Sequence, residues 1–173
     1  MSACTTLTHY SLDCRDSIGG ITEVYIAAFD NKGTPTITSA SALISSWTDA
    51  AGDFYRYQVR PETANAVETP TANDQNGTVY YEQSITFQIS KQVGLRTVTN
   101  DILYKGNWLI IYKDRNGKYR LHGYNNGCKY SAGTNETGTA MGDFNGYKFT
   151  FSSKEETQAY EVSSSIMASL IAA

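Results

Sequence analysis

Residues 79 to 90, Val-Tyr-Tyr-Glu-Gln-Ser-Ile-Thr-Phe-Gln-Ile-Ser, place Val79, Tyr81, Ile85, Phe87 and Ile89 on one parity, with only Gln83 interrupting. Tyr80, Glu82, Ser84, Thr86, Gln88 and Ser90 occupy the other. A repeat of two puts the sets on opposite faces of a strand, and a helix would scatter both. The segment is about twice the usual strand length of roughly five or six residues. It has one greasy face and one nearly continuous hydroxyl- and amide-rich face. A chain carrying it is constrained to a sheet that packs on a core and shows a broad wet wall, as in a tube, a channel or an extended assembly.

The remaining composition agrees with sheet. The chain has 173 residues, the length of one domain with a proper core, and 13 tyrosines. Aromatic and β-branched side chains fit a pleated, half-buried surface. Three prolines are too few for a disordered linker protein. The formal net charge of -3, with cations scattered, gives no footprint for wrapping nucleic acid. Cys4, Cys14 and Cys128 form no CxxC and no Cys/His cluster, so reduced, partly buried thiols are expected, with a Cys4–Cys14 disulfide as the alternative. No basic segment followed by an apolar run opens the chain, and no stretch reaches the roughly 20 apolar residues of a membrane span. Folding in a cytoplasm without membrane binding is therefore expected, and Asn76-Gly-Thr and Asn135-Glu-Thr carry no glycosylation meaning.

Punctuation along the chain predicts an N-terminal arm over 1–20, one β domain over 21–162 and a C-terminal tail over 163–173. Strands are expected at 21–29, 53–60, 79–90, 107–113, 118–123 and 147–152, with a short one at 160–162. Residues 34–52 read as a short strand and a loop, and 125–145 as a winding glycine-rich loop. Residues 62–78, with Asn73-Asp74-Gln75-Asn76-Gly77 and no apolar periodicity, read as a long loop, the tip of a hairpin if 53–60 pairs with 79–90. Leu95, Val98, Ile102 and Leu103 recur at helical spacing and predict a helix near 93–104, with Gly106 as its C-cap. Asn116-Gly117 is a hairpin turn signal. The order implies a mainly β fold, an antiparallel β-sandwich or partly closed barrel with one flanking α-helix.

Groups that carry chemistry do not converge in the sequence. His122 sits in a strand without a nearby carboxylate, and His9 lies in the arm. Asp13, Asp16, Asp30, Asp114 and Asp143 lack the spacing of a calcium loop and read as turn formers. Gly138 to Gly146 resembles a phosphate loop only superficially, since no GK[ST] ending follows. Tyr55, Tyr57, Tyr80 and Tyr81 suggest a stacking platform but have only Arg56 and Arg60 as basic neighbours. No catalytic residue, metal site or cofactor is expected, and the chain reads as a non-enzyme.

The run Lys113-Asp-Arg-Asn-Gly-Lys-Tyr-Arg-Leu-His-Gly123, then Asn126-Gly127, Ala132-Gly133 and Thr137-Gly138 through Asp143-Phe-Asn-Gly-Tyr147, resembles the last third of small tail proteins of tailed bacteriophages. Tyr80 to Ile89 resembles the long strand before the helix in tail-tube-type proteins. The likeness spans about residues 20 to 162 and rests on glycine-and-turn patterns. It implies a sandwich or barrel with one helix, assembled in rings, commonly six-fold, around an inner barrel that conducts DNA. On that basis Tyr80, Glu82, Ser84, Thr86 and Gln88, with help from 53–60, would face the lumen. Asn73, Asp74, Gln75 and Asn76 would reach a neighbouring subunit or ring, and the arm and tail would order on assembly. The implied partners are further copies, neighbouring tail or connector proteins and passing DNA, in a virion made in a host bacterium. Tube, hub and connector remain open. So do a carbohydrate-binding or adhesin-like module using Trp47 or Tyr124-Asn125-Asn126, and a glycan hydrolase using Glu23 and Glu82.

Overall fold

The computed structural model describes residues 9–12, 14–48 and 54–172. Eleven strands of the described residues form one continuous, mostly antiparallel sheet that folds on itself without closing into a barrel. In chain order they are β1 (Ile21–Ala28), β2 (Thr34–Thr38), β3 (Leu43–Thr48), β4 (Tyr55–Gln58), β5 (Asn65–Asn73), β6 (Thr78–Ser90), β7 (Asn107–Asp114), β8 (Tyr119–His122), β9 (Cys128–Glu136), β10 (Gly146–Glu155) and β11 (Tyr160–Val162). Two helices, α1 (Gly94–Lys105) and α2 (Ser164–Leu170), complete the fold. The mainly β sandwich with a flanking helix expected from the sequence is therefore the architecture.

The path β2-β3-β11-β8-β7-β9-β10-β6-β5 bends where β7 passes to β9 through only two paired residues. One half, β9-β10-β6-β5, packs its inner face on β1 and β7. Ile85, Phe87, Phe149 and Phe151 from that half meet Val24, Ile26 and Ile110, all at most 2 % exposed. The other face of β1 and β7 carries Tyr25, Leu109 and Ile111 against Ile44, Trp47, Phe54, Met167 and Leu170. Alternation along β1 and β7 thus feeds two cores, which is why the run Trp108–Tyr112 is apolar throughout.

Several expectations change. Residues 65–73 are not loop but the edge strand β5, paired with β6 from Asn65↔Thr86 to Asn73↔Thr78. The partner expected for 79–90 is also different: β4 pairs with β1, and β6 lies between β5 and β10. Residues 34–48 form two strands, and 128–136 form β9 where a winding loop was expected. The C-terminal segment is not a separate tail. Its helix α2 buries Met167 and Leu170, the Phe54 N–H donates to the Leu170 carbonyl at 3.0 Å, and the Ala172 N–H donates to the Phe54 carbonyl at 2.8 Å. In the arm, the Ile18 backbone is clasped by Asn116, whose Oδ1 accepts from the Ile18 N–H at 2.9 Å and whose Nδ2 donates to the Ile18 carbonyl at 3.0 Å. Cys14 is exposed and Cys128 buried, while Cys4 lies outside the described residues.

The β5 pattern explains its disguise. Val67 is exposed on one face while Glu68 turns inward, the reverse of its hydrophobicity. Glu68 Oε2 accepts from Gln83 Nε2 at 2.9 Å and from the Ala159 N–H at 2.7 Å. Gln83, the one polar residue on the core face of β6, is 2 % exposed, and its Oε1 accepts from the Gly123 N–H at 3.0 Å. This amide joins β5, β6 and the β8–β9 turn inside the protein. Gly123 fits there because its φ is +79° and a Cβ would lie 2.7 Å from the Cys128 nitrogen.

Removing the amide strands a buried donor and a carboxylate together. Gln83→Leu should cost about 2–3 kcal/mol, whereas Ser84→Ala on the opposite face should stay within about 0.5 kcal/mol. Urea unfolding of both variants checks this; equal costs would show that Gln83 joins nothing.

Candidate functional site

Cross-strand pairing extends the polar face of β6 into a wall. Glu82 lies between Thr69 and Lys154, Ser84 between Val67 and Ser152, and Thr86 between Asn65 and Thr150, while Gln88 faces Lys148. Lys148 and Thr150 in turn sit opposite Thr134 and Ala132 of β9. Directly opposed residues point to the same side of a sheet, so four strands share one surface. Tyr80, Glu82, Ser84, Thr86 and Gln88 are all half-buried on it, with side chains lying among their neighbours.

Two lysines of the wall are neutralised within it, while Lys129, opposite Ser152, is exposed with no ion-pair partner among the described residues. Lys154 Nζ pairs with Glu82 at 3.0 Å and Lys148 Nζ with Glu136 at 2.9 Å. Glu136 is held below the usual carboxylate range by the hydrogen bond from Thr134 and then by that from Lys148. Lys154 is held above its ordinary value by the Glu82 carboxylate, and its ammonium lies 5.4 Å from the Tyr80 ring centre. The Thr86 and Thr150 hydroxyls meet at 3.0 Å across β6 and β10. Such exposed ion pairs add little stability; they remove free charge from the surface and fix its side chains.

At one end of the wall the β5–β6 hairpin turns. Asn73 closes β5, its Oδ1 accepts from the Asn76 N–H at 3.1 Å, and Gly77 takes φ +62°. Asn73, Asp74, Gln75 and Asn76 are all exposed. The structure thus brings the five wall residues together and sets the four tip residues at the end of the same hairpin. The contributions of β5 and β9 were missed. The readable signal was the turn itself, which puts Thr71 opposite Tyr80 and Thr69 opposite Glu82.

Other candidates are placed differently. Tyr80 and Tyr81 point to opposite faces of β6, and Tyr55 and Tyr57 lie on β4, so the four rings make no common platform. Trp47 is only 8 % exposed and its indole N–H donates to the Lys32 carbonyl. Tyr124 packs edge-on to Tyr160 under the Lys32 ammonium, 3.8 Å from its ring centre. The Asn125 and Asn126 N–H groups donate to the buried Glu155 carboxylate at 2.8 and 3.1 Å. Asn125 and Asn126 are thus engaged in holding the β8–β9 turn. Glu23 binds the Tyr25 hydroxyl at 2.6 Å and pairs with Arg56 at 3.6 Å, on a strand not paired with that of Glu82. Asp143 accepts two N–H groups, from Thr139 and Ala140, which hold its carboxyl low and close the glycine-rich turn. Asp114 closes the Asn116–Gly117 hairpin, accepting from the Asn116 and Lys118 N–H groups at 2.9 and 2.8 Å.

Among the described residues no three His, Cys, Asp or Glu side chains converge as metal ligands, and no helix is long and apolar enough to cross a membrane. Burial pushes the Cys128 thiol up to about 12, which removes it as a nucleophile near neutral pH. No family model, curated protein or solved structure matches the chain.

His122 gives the fold a pH dependence. It is 1 % exposed, edge-on to Tyr112, and burial with the nearby Arg120 charge lowers its pKa from 6.5 to about 4. The unfolded chain therefore takes up the proton first. Its stabilising contribution is complete above pH 6.5 and is lost as pH falls toward 4, about 3 kcal/mol in all. Denaturant unfolding between pH 7 and 4.5 should show a shallower loss in His122→Gln than in the wild type; parallel curves would refute the assignment.

Proposed function

We propose that this chain is a ring-forming structural subunit of a tailed-bacteriophage tail, a tube, hub or connector, whose polar wall lines a DNA-conducting lumen. The observation that carries the reading is the wall itself: four strands wide, dressed with Thr, Ser, Gln and Tyr, with two Lys–Glu pairs closed within it. A conduit must wet the duplex without binding it. Each lysine left free to contact a phosphate would add salt-dependent affinity and hold the DNA in place. Pairing Lys148 and Lys154 with carboxylates lowers that affinity, leaving Lys129 on β9 as an exposed cation of the wall.

Two further features support an assembled state. On α1, Leu95, Val98 and Ile102 are 80, 64 and 57 % exposed, so the helix turns only part of its apolar set, chiefly Leu103, into the core. An apolar stripe of this kind is a surface that a neighbouring subunit covers. The main path of the sheet also ends in two edges, β5 and β2. Pro70 and Pro35 stand in these two strands, where a missing N–H discourages indiscriminate strand pairing. The exposed tip Asn73–Asn76, at the end of the longest strand, is the natural arm toward a neighbouring subunit or ring.

Light scattering with negative-stain imaging of the purified protein should reveal rings or stacked tubes with a hole wide enough for a duplex about 20 Å across, the scale set by its grooves. Val98→Asp should leave the β circular-dichroism signal unchanged and shift the protein to monomer. In assembled rings, Thr86→Lys with Gln88→Lys should create salt-dependent duplex retention that the wild type lacks. A monomer at every concentration, or wild-type rings that already retain duplex DNA, would reject the proposal.

A further inference from the structure

Strand β4 is a third edge of the sheet. It pairs with β1 and with no other strand among the described residues. Two sets of hydrogen bonds fix which way its backbone points. The Val59 N–H, just past the strand, donates to the Thr22 carbonyl at 3.4 Å, so odd-numbered residues turn their main chain toward β1. The Phe54 N–H and carbonyl instead bond Leu170 and Ala172, so even-numbered residues turn theirs away. Alternation along an antiparallel strand extends this rule to Arg56 and Gln58. Their N–H and C=O groups face outward, beyond the point where Leu170 to Ala172 occupy the edge, and no strand or loop among the described residues meets them there.

This edge lines a cleft of about 410 Å³. Helix α1 supplies the facing wall through Arg96 and Thr99, and Tyr57 and Ile89 make an apolar floor. The edge is also unguarded. Pro35 and Pro70 stand in the two end strands of the main path, whereas Tyr55–Gln58 holds no proline. A native edge left without such a guard is suited to strand addition.

The chain carries a matching segment. In the described part of the N-terminal arm, Tyr10 and Leu12 are 82 and 92 % exposed. Ser11 separates them, so an extended backbone puts both on one face. No hydrogen bond ties residues 9–12 to their own subunit among the described residues.

We infer that residues 9–12 of a neighbouring copy add to β4 as an antiparallel strand in this cleft. Ser11 opposite Arg56 and His9 opposite Gln58 give the outward N–H and C=O groups their partners. The same register sets Tyr10 on Tyr57 and Leu12 on Tyr55, itself 65 % exposed, because directly opposed residues share a face. Main-chain bonds supply affinity and the alternate side chains fix the register. The contact is heterologous, from the arm of one copy to the edge of the next, the kind that closes into rings. The choice of occupant rests on the ring reading; the open edge does not.

The test is residue-resolved hydrogen exchange on the full chain, compared between assembled rings and dilute monomer. The Tyr57 and Val59 amides, turned toward β1, should be protected in both. The Arg56 and Gln58 amides should exchange freely in the monomer and slow about tenfold or more on assembly. Leu12→Asp should weaken association about tenfold or more, the loss of one apolar anchor, and abolish that slowing. Gln58→Pro, which removes an outward N–H and leaves the β1 ladder bonded, should do the same, with circular dichroism and the thermal midpoint checking its fold. Should that variant not fold, Leu12→Asp, on an exposed side chain, carries the test alone. Rings in which Arg56 and Gln58 gain no protection, or keep it in Leu12→Asp, overturn the inference and leave the ring reading standing. Protection already complete in the monomer overturns it in the same way. A monomer at every concentration overturns both.

Discussion

The rings of Phe87, Phe149 and Phe151 stack against one another, with centroids 5.4 to 6.2 Å apart, at the centre of the β6–β10 pair. Each is fully buried, and each fixes its strand to the same parity. A slip of one residue would turn all three rings into water and bring Thr86, Thr150 and Ser152 into the core. The register is thus set by the inner face, and the outer face inherits it. Glu82 meets Lys154 and Thr86 meets Thr150 because the phenylalanines behind them cannot shift.

The same inner face carries one deliberate exception. Gln83 sits where the alternation calls for an apolar residue; Glu68 and Gly123 bond its amide directly, and the Ala159 N–H joins the network through Glu68. Glu155 plays the parallel role for Asn125 and Asn126 in the next turn. These buried polar links tie β5 and the β8–β9 connection to the sandwich, so the wall gains its outermost strand through a hydrogen-bond network in addition to a hydrophobic face.

Helix α1 divides its side chains among three tasks. Leu103 closes the core, Leu95, Val98 and Ile102 lie in solvent, and Arg96 and Asn100 line a cleft beside β4. A helix that served only to cover the sheet would bury its apolar stripe. Its position at the end of the sandwich, against β9, leaves that stripe available to a neighbour.

The sequence alone determined the elements whose instructions are local. The alternation of 79–90 and 147–152 specifies strands with one wet face, Asn116-Gly117 specifies the hairpin that Asp114 closes, and the spacing of Leu95, Val98 and Leu103 specifies a helix. The five wall residues on β6 were legible for the same reason, since parity is a property of the strand itself. Tertiary structure decided the rest. Residues 65–73 carry a proline and an inverted pattern, and become a strand only because the long β6 offers a partner edge and Gln83 gives Glu68 a place inside. Gly133 in β9 is required by the close approach of the Lys148 carbonyl, 2.1 Å from where a Cβ would stand, a contact no local pattern announces. The choice of β1 as the partner of β4, the docking of α2 under Phe54, and the exposure of most of the α1 stripe all depend on contacts between distant segments. Periodicity states which side of an element prefers to be buried; only the assembled chain determines what is there to bury it.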